Sequence, residues 1–300
     1  MILTDIPEGR KIERLEHKIF SPPCVTRQYR GREFFVMENA MTEGPFGGMK
    51  PTFSSVANHI GCKIYQSMQF PVAETLLCGK TLSDKEYDVV CLRENLEKPN
   101  QNFFTFGDML IPHRDMITAT LTADIDILNS LFNEMYDFCD SAAVYGIRRF
   151  FAEMLVADAY LGTADRNIES WGFIYSLNNL SLAPVFDCTS ALFPELDYVQ
   201  MAKILTDYET GNSAFTDFIM DGVKSSFYRD GRQLTYRELL GEKERFRVEA
   251  LQNIVLRIDE KNTEKIIEGE ILLNPLHKKF LKIVLRERKK RILEPALQNA

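Results

Sequence analysis

The stretch from Asp158 to Leu192, DAYLGTADRNIESWGFIYSLNNLSLAPVFDCTSAL, constrains this chain more than any other. An apolar, helix-like run ends in a short polar turn, and two short strands follow, joined by a turn at Asn178-Asn179. Asp165 lies in the turn before the first strand, and Asp187 follows the second, twenty-two residues on. Both carboxylates therefore sit on loops at the ends of a hairpin, where they can converge on one bound metal. Loops held by a rigid scaffold carry a disproportionate share of chemistry. Taken alone, Asp165 and Asn167 could simply satisfy a turn, as Asp and Asn often do. The second aspartate, placed after the apolar strand 182–186, tips the reading toward chemistry. Phosphoryl transfer needs one carboxylate near the attacking hydroxyl and another group holding a divalent cation on the phosphates.

The 300 residues are 45% apolar and 26% charged, the balance of a globular chain with ample core, long enough for one large or two-lobed domain. A formal charge of −7 argues against nucleic acid or an anionic membrane as a direct partner. No apolar run is long enough to span a bilayer, and MILTDIPEGRK lacks the pattern of a secretory signal, so a cytoplasmic protein is expected. The six cysteines (24, 62, 78, 91, 139 and 188) are scattered, which reads as reduced thiols, and none is grouped with histidine at zinc-ligand spacing. Cys188 adjoins Asp187 but has no evident activating base.

Residues 11–37 read as β structure, with Arg30-Gly31 as a hairpin turn. Glu43–Lys50, EGPFGGMK, is glycine-rich and can be read as a phosphate-wrapping loop, although a flexible connection is the simpler reading and Pro51 excludes a P-loop. From Thr52 to Phe70 the stripe Val56, Ile60, Ile64, Met68 predicts an amphipathic helix with serines at its N-cap, and His59 within it reads as solvated or core-edge. PVAETLLCG and YDVVCLREN read as strands, and 95–112 as a polar connection. Helices are expected over Met116–Tyr136 and Ser141–Leu161. Asp158, awkward for the dipole near a helix end, is expected to bond backbone groups of the 163–167 loop, and Glu153 to be solvated. Arg166 could pair with a phosphate or brace Asp158 or Asp187, the brace being the favoured reading, and Trp171 reads as packing beneath the loop. The last helix, 275–293, carries eight Lys or Arg from Lys278 to Arg291, read as a solvated face.

The words LGTADRN, ESWGFIY and LAPVFDCTSALFP, with IGCKIYQSMQFPVAETLLCG further upstream, resemble the HipA-like serine/threonine kinases, and more narrowly their CtkA-like members. The resemblance covers the chain from about Arg32 and is most specific around 155–193. The Asp165-Arg166-Asn167 variant is also similar to that of type II phosphatidylinositol 4-kinases, although no membrane-binding segment accompanies it. The resemblance implies an α+β, two-lobed protein-kinase-like fold. Its small β-rich N-lobe, with one helix, would run to residue 95. A connection at 96–112 would lead to a mostly helical C-lobe over 113–300.

It further implies ATP and Mg2+ as cofactors and a protein substrate bearing Ser or Thr, its own chain included. Asp165 would be the catalytic carboxylate. Asp187 would hold the metal with Asn167 or Ser170, the latter standing where relatives carry a metal-binding asparagine. Cys91 to Glu94, including Arg93, would contact the nucleotide base through the backbone. Gly47, Gly48 and Lys50 would face the phosphates on the glycine-rich reading of 43–50, although in a kinase-like lobe the phosphate loop should precede the nucleotide-lysine strand and this one follows it. Three departures weigh against this. Met37 stands at the nucleotide-lysine position, Asn58 at the helix glutamate and Ser170 at the metal asparagine, so Lys50, or less readily Lys63, would have to substitute for the lysine. The alternatives are a pseudokinase that binds a regulatory protein partner, and altered nucleotidyl transfer on the same fold.

Overall fold

Thr26–Tyr29 and Arg32–Met37 pair antiparallel as β1 and β2 around Arg30 and Gly31, whose φ values of 50° and 75° make the turn that matches strand twist. The computed structural model describes residues 26–43, 48–83, 86–109, 123–137, 140–177 and 179–300. The expected β structure of 11–25, Gly47, and the start of the helix expected from Met116 lie outside the described residues.

Short strands β3 (Met41–Glu43) and β4 (Met49–Pro51) flank the glycine-rich segment, and α1 (Ser54–Ser67) follows. The strands β5 (Thr75–Ser83) and β6 (Glu86–Glu94) complete a four-stranded antiparallel sheet in the order β1-β2-β6-β5. Side chains alternate across it, as strand geometry requires. Phe34, Cys78, Val90 and Leu92 pack together on one face, while Met37, Thr75 and Cys91 meet α1 on the other. The serines expected to cap α1 do not. Phe53 occupies the cap without a side-chain bond, while the Ser54 hydroxyl accepts from the Ala40 N–H and the Ser55 hydroxyl donates to the Met37 carbonyl. They fasten the helix to the β2 end instead.

The 95–112 connection is more than a linker, because β7 (Gln101–Thr105) pairs along β9 (Gly172–Ser176), which in turn pairs with β10 (Asn179–Leu182). Asn179 faces Ser176 in this ladder rather than lying in the turn. β10 stops at Leu182, and Val185 bridges to Val72 in parallel. Between these strands come α2 (Phe106–Met109), β8 (Ala123–Asp124), α3 (Ile125–Glu134) and α4 (Ser141–Leu161). α4 is capped by Asp140, which accepts from the Ala142 and Ala143 N–H groups, and ends at left-handed Gly162.

After the hairpin run α5 (Tyr198–Glu209), α6 (Ser213–Asp221), β11 (Lys224–Arg229), β12 (Arg232–Thr235), α7 (Tyr236–Leu240), α8 (Arg245–Arg257), α9 (Glu260–Glu268) and α10 (Pro275–Arg288). A π-turn at Lys289–Leu293 leads into α11 (Glu294–Asn299). One large core joins the apolar face of α1 to α3, α4 and the C-terminal helices. Phe150, Phe151, Met154, Leu155, Ala157 and Leu161 point into it from α4 as expected, Phe150 only partly buried. Glu153, expected to be solvated, is buried and accepts from Arg149 (3.0 Å) and Asn253 (3.2 Å). The basic face of α10 is matched with acids, through Lys278 and Lys282 to Glu268, Lys279 to Glu209 and Lys289 to Glu260. Arg288 is fully buried, donating to the carbonyls of Ala159 and Ile219.

Candidate active site

The loop that follows α4 is tied down before it does any chemistry. Arg166, 1% exposed, donates to both carboxylate oxygens of Asp158 (2.8 and 3.0 Å) and to the Ser170 carbonyl (2.9 Å). Tyr65 of α1 donates its hydroxyl to the same carboxylate at 2.6 Å. The brace expected of Arg166 is therefore on Asp158. The Asp158 carboxylate acts through Arg166 and Tyr65, while its backbone carbonyl, not its side chain, receives the N–H groups of Gly162 and Thr163. The Tyr236 hydroxyl donates to the Thr163 carbonyl at 2.6 Å and the Ser226 hydroxyl to the Arg166 carbonyl. Trp171 lies beneath the loop, stacked on Phe106 with ring centroids 4.5 Å apart.

On this support Asp165 stands exposed at the surface of the loop. Its Oδ1 accepts a short hydrogen bond from the Ser190 hydroxyl, which in turn accepts from the Asp165 N–H at 3.2 Å. Although the side chain is exposed, the protein packed around the loop withdraws part of the solvent from the carboxyl; that loss, then the charge of Asp187, pushes the Asp165 pKa above the usual carboxylate range, and the Ser190 bond offsets part of that rise. Asp187 is half-buried, and its Oδ1 accepts from the Thr189 N–H (3.1 Å) and hydroxyl (2.7 Å). The charge of Asp187 thus acts on Asp165, and the two are joined by the 187–190 turn.

Asn167 and Ser170 close the loop that follows α4. The Asn167 N–H donates to Ser170 Oγ, and Ser170 Oγ donates back to the Asn167 carbonyl, each at 2.9 Å. Asn167 Oδ1 accepts from the Glu169 N–H at 2.8 Å. Buried Ser170 thus has its hydroxyl engaged within the turn. Among the described residues no cluster of three or more metal-ligating side chains occurs. A donor set of one or two carboxylates suits Mg2+, which keeps waters and takes phosphate oxygens as its remaining ligands.

Met37 and Asn58 do meet, as their positions in the sequence suggest. Asn58 Nδ2 lies 3.4 Å from Met37 Sδ, so the two departures make one neutral contact. Cys91 is buried beside them, its Sγ 3.5 Å from the same nitrogen, and its thiol is pushed well up by burial. β6 is paired on both sides, so the backbone groups of Cys91 to Arg93 are engaged in the ladder. The Arg93 guanidinium lies over the rings of Phe35 (5.2 Å) and Phe186 (5.0 Å), beside Asp187 in the chain. Lys50 pairs with Asp197 at 3.1 Å, at the cap of α5. Gly48 has a φ of +83° and open space around it. Sequence reasoning assigned no role to Tyr65 or Ser190. Ser190 lies three residues after Asp187, close enough to have drawn notice, whereas nothing local marks Tyr65 as the partner of Asp158.

A small antiparallel sheet with one helix, above a helical lobe whose first hairpin carries two aspartates, defines a two-lobed kinase-like fold of the α+β class. Serine/threonine-protein kinase CtkA of Helicobacter pylori is 32% identical over 264 residues, covering 84% of this chain and 75% of that protein. The crystal structure of the H. pylori proinflammatory kinase CtkA superposes with a TM-score of 0.81 at 22% identity, over 99% of this chain and 98% of that one. HipA from Shewanella oneidensis, solved with HipB and operator DNA, matches more loosely, with a TM-score of 0.55 at 11% identity over 97% of this chain and 70% of that one. No protein-family model matches the chain. This chain belongs to the HipA/CtkA-like kinase family. Among the described residues no helix is long and apolar enough to cross a membrane.

Proposed function

We propose that this chain is a protein kinase that transfers the γ-phosphoryl group of ATP, with Mg2+, to a Ser or Thr hydroxyl, its own included. The observation that carries this reading is the placing of Asp165 and Asp187 on a braced loop and the 187–190 turn, with Ser190 of that turn bonded to Asp165. Asp165 accepts a hydrogen bond from the acceptor hydroxyl and takes its proton as the hydroxyl oxygen bonds to the γ-phosphorus and the bond from that phosphorus to the bridging oxygen breaks, its electron pair leaving with ADP. Its raised pKa suits that task, since a base with more proton affinity holds the transferred proton better. Asp187, with one oxygen occupied by Thr189, offers the other to the metal, and Asn167 completes the site. Bound there, Mg2+ neutralises charge that develops on the phosphates. Arg166 serves as a brace only.

A second reading, a pseudokinase that binds a regulatory protein, draws on the neutral Met37–Asn58 contact and on Lys50 being held by Asp197. The test is transfer of labelled γ-phosphate to the chain itself and to a mixture of Ser/Thr peptides, with Asp165→Asn alongside. Label that depends on Mg2+ and falls at least a hundredfold in the variant supports the kinase. Nucleotide binding without any transfer favours the pseudokinase.

A further inference from the structure

We infer that Asn58 is a positioning residue that fastens α1 to the Asp187 turn by a neutral hydrogen bond. Asn58 is fully buried, and its Oδ1 accepts from the Cys188 N–H at 2.8 Å, one residue past Asp187. Among the described residues its Nδ2 faces sulfur, Met37 Sδ at 3.4 Å and Cys91 Sγ at 3.5 Å. Cys62 Sγ lies 3.9 Å from Oδ1 at the other end of the amide, and Cys188 Sγ lies 3.9 Å beyond it, so three sulfurs line the amide directly. A charged pair in that lining would be stripped of water with little to compensate it, whereas one amide with a strong acceptor bond is tolerated.

A separate feature of α1 points the same way. A Cβ on Gly61 would stand 2.7 Å from the Cys188 Cβ, so the helix can approach the turn this closely only because position 61 is glycine. α1 is also held from the far side, by the Tyr65 bond to Asp158 and by its place in the main core. The helix is therefore docked on the Asp187 turn by contacts of the chain itself. Because the Cys188 N–H is held, the backbone that aims the Asp187 carboxylate is held with it. This step rests on the reading of Asp187 as the metal ligand.

The experiment pairs amide hydrogen exchange at Cys188 with calorimetric Mn2+ binding, in the presence of ADP, on the intact chain. Asn58→Ala removes the acceptor, and Asn58→Asp, which so dry a lining holds as the neutral acid, keeps a carbonyl oxygen in its place. Exchange at Cys188 is expected to quicken at least tenfold in Asn58→Ala, with Mn2+ affinity falling about tenfold, and both to recover in Asn58→Asp. If Asn58→Ala does not fold, Gly61→Ala, which wedges α1 off the turn, is expected to produce the same two changes. Unchanged Cys188 exchange overturns the inference, and so does faster exchange with unchanged Mn2+ affinity. Failure of the wild type to bind Mn2+, with exchange behaving as expected, would leave the latch standing and overturn the assignment of Asp187 instead.

Discussion

Asp165 takes its character from two neighbours of opposite effect. Asp187 and poor solvation favour its protonated form, and the Ser190 hydroxyl favours the carboxylate. Ser190→Ala is therefore expected to raise the Asp165 pKa, and Asp187→Asn to lower it, as followed by carboxyl-carbon NMR titration. Because the proton acceptor must be ionised, the acidic limb of any pH–rate profile should move upward in Ser190→Ala; a downward move would contradict the assignment. The Arg166–Asp158 pair behaves differently, since both members are buried. Arg166→Met would strand the Asp158 carboxylate, at a cost of about 3–5 kcal/mol. Urea denaturation should show that loss as a lower midpoint with an unchanged slope.

At the scale of elements, α1 is the piece on which the two lobes depend. His59, against Thr75, is held down to about 4 by burial and then by Lys63, and His277, beside Phe53 at the helix entry, is held down to about 4 by burial. His59 Nε2 and His277 Nδ1 have no hydrogen-bond partner among the described residues. Both are neutral in the folded chain between pH 6.5 and about 4, where the unfolded chain protonates them. The unfolded state thus binds more protons in that window, so stability falls as pH falls from 6.5 toward 4, by ~1.4 kcal/mol per pH unit per histidine. Melting temperatures should drop across that range, and less steeply in His59→Gln/His277→Gln. The helix itself was legible, because its apolar stripe has helical spacing. Its cap was not, because the Ser54 and Ser55 hydroxyls serve Ala40 and Met37, partners remote in sequence.

Taken as a whole, the molecule divides its core unequally. The α1 face belongs with α4 and the C-terminal helices, while Phe34, Cys78, Val90 and Leu92 form a small separate cluster on the outer face of the sheet. Amide exchange should therefore place α1 with α4 in one slow class and β1–β2 in a faster one. Exchange of α1 together with β1–β2 would contradict this division. The helical lobe was legible in the sequence because Ser141–Leu161 is long and apolar, and the aspartate pair because a hairpin separates its members by a readable distance. What stayed hidden depends on contacts between distant segments. The pairing of β7 with β9, the Lys50–Asp197 bond and the Asn58–Cys188 bond have no local signature. The departures at Met37 and Asn58 read as losses in the sequence, yet in the fold they form one contact.

The central claim, that Asp187 holds a metal on bound nucleotide, is tested most directly by calorimetric titration of ATP with and without Mg2+, on wild type and Asp187→Asn. The account predicts binding that strengthens with Mg2+ in the wild type and loses that Mg2+ dependence in the variant. No binding to the wild type at millimolar nucleotide, weaker than about −4 kcal/mol, or a Mg2+ dependence that survives Asp187→Asn, would contradict it.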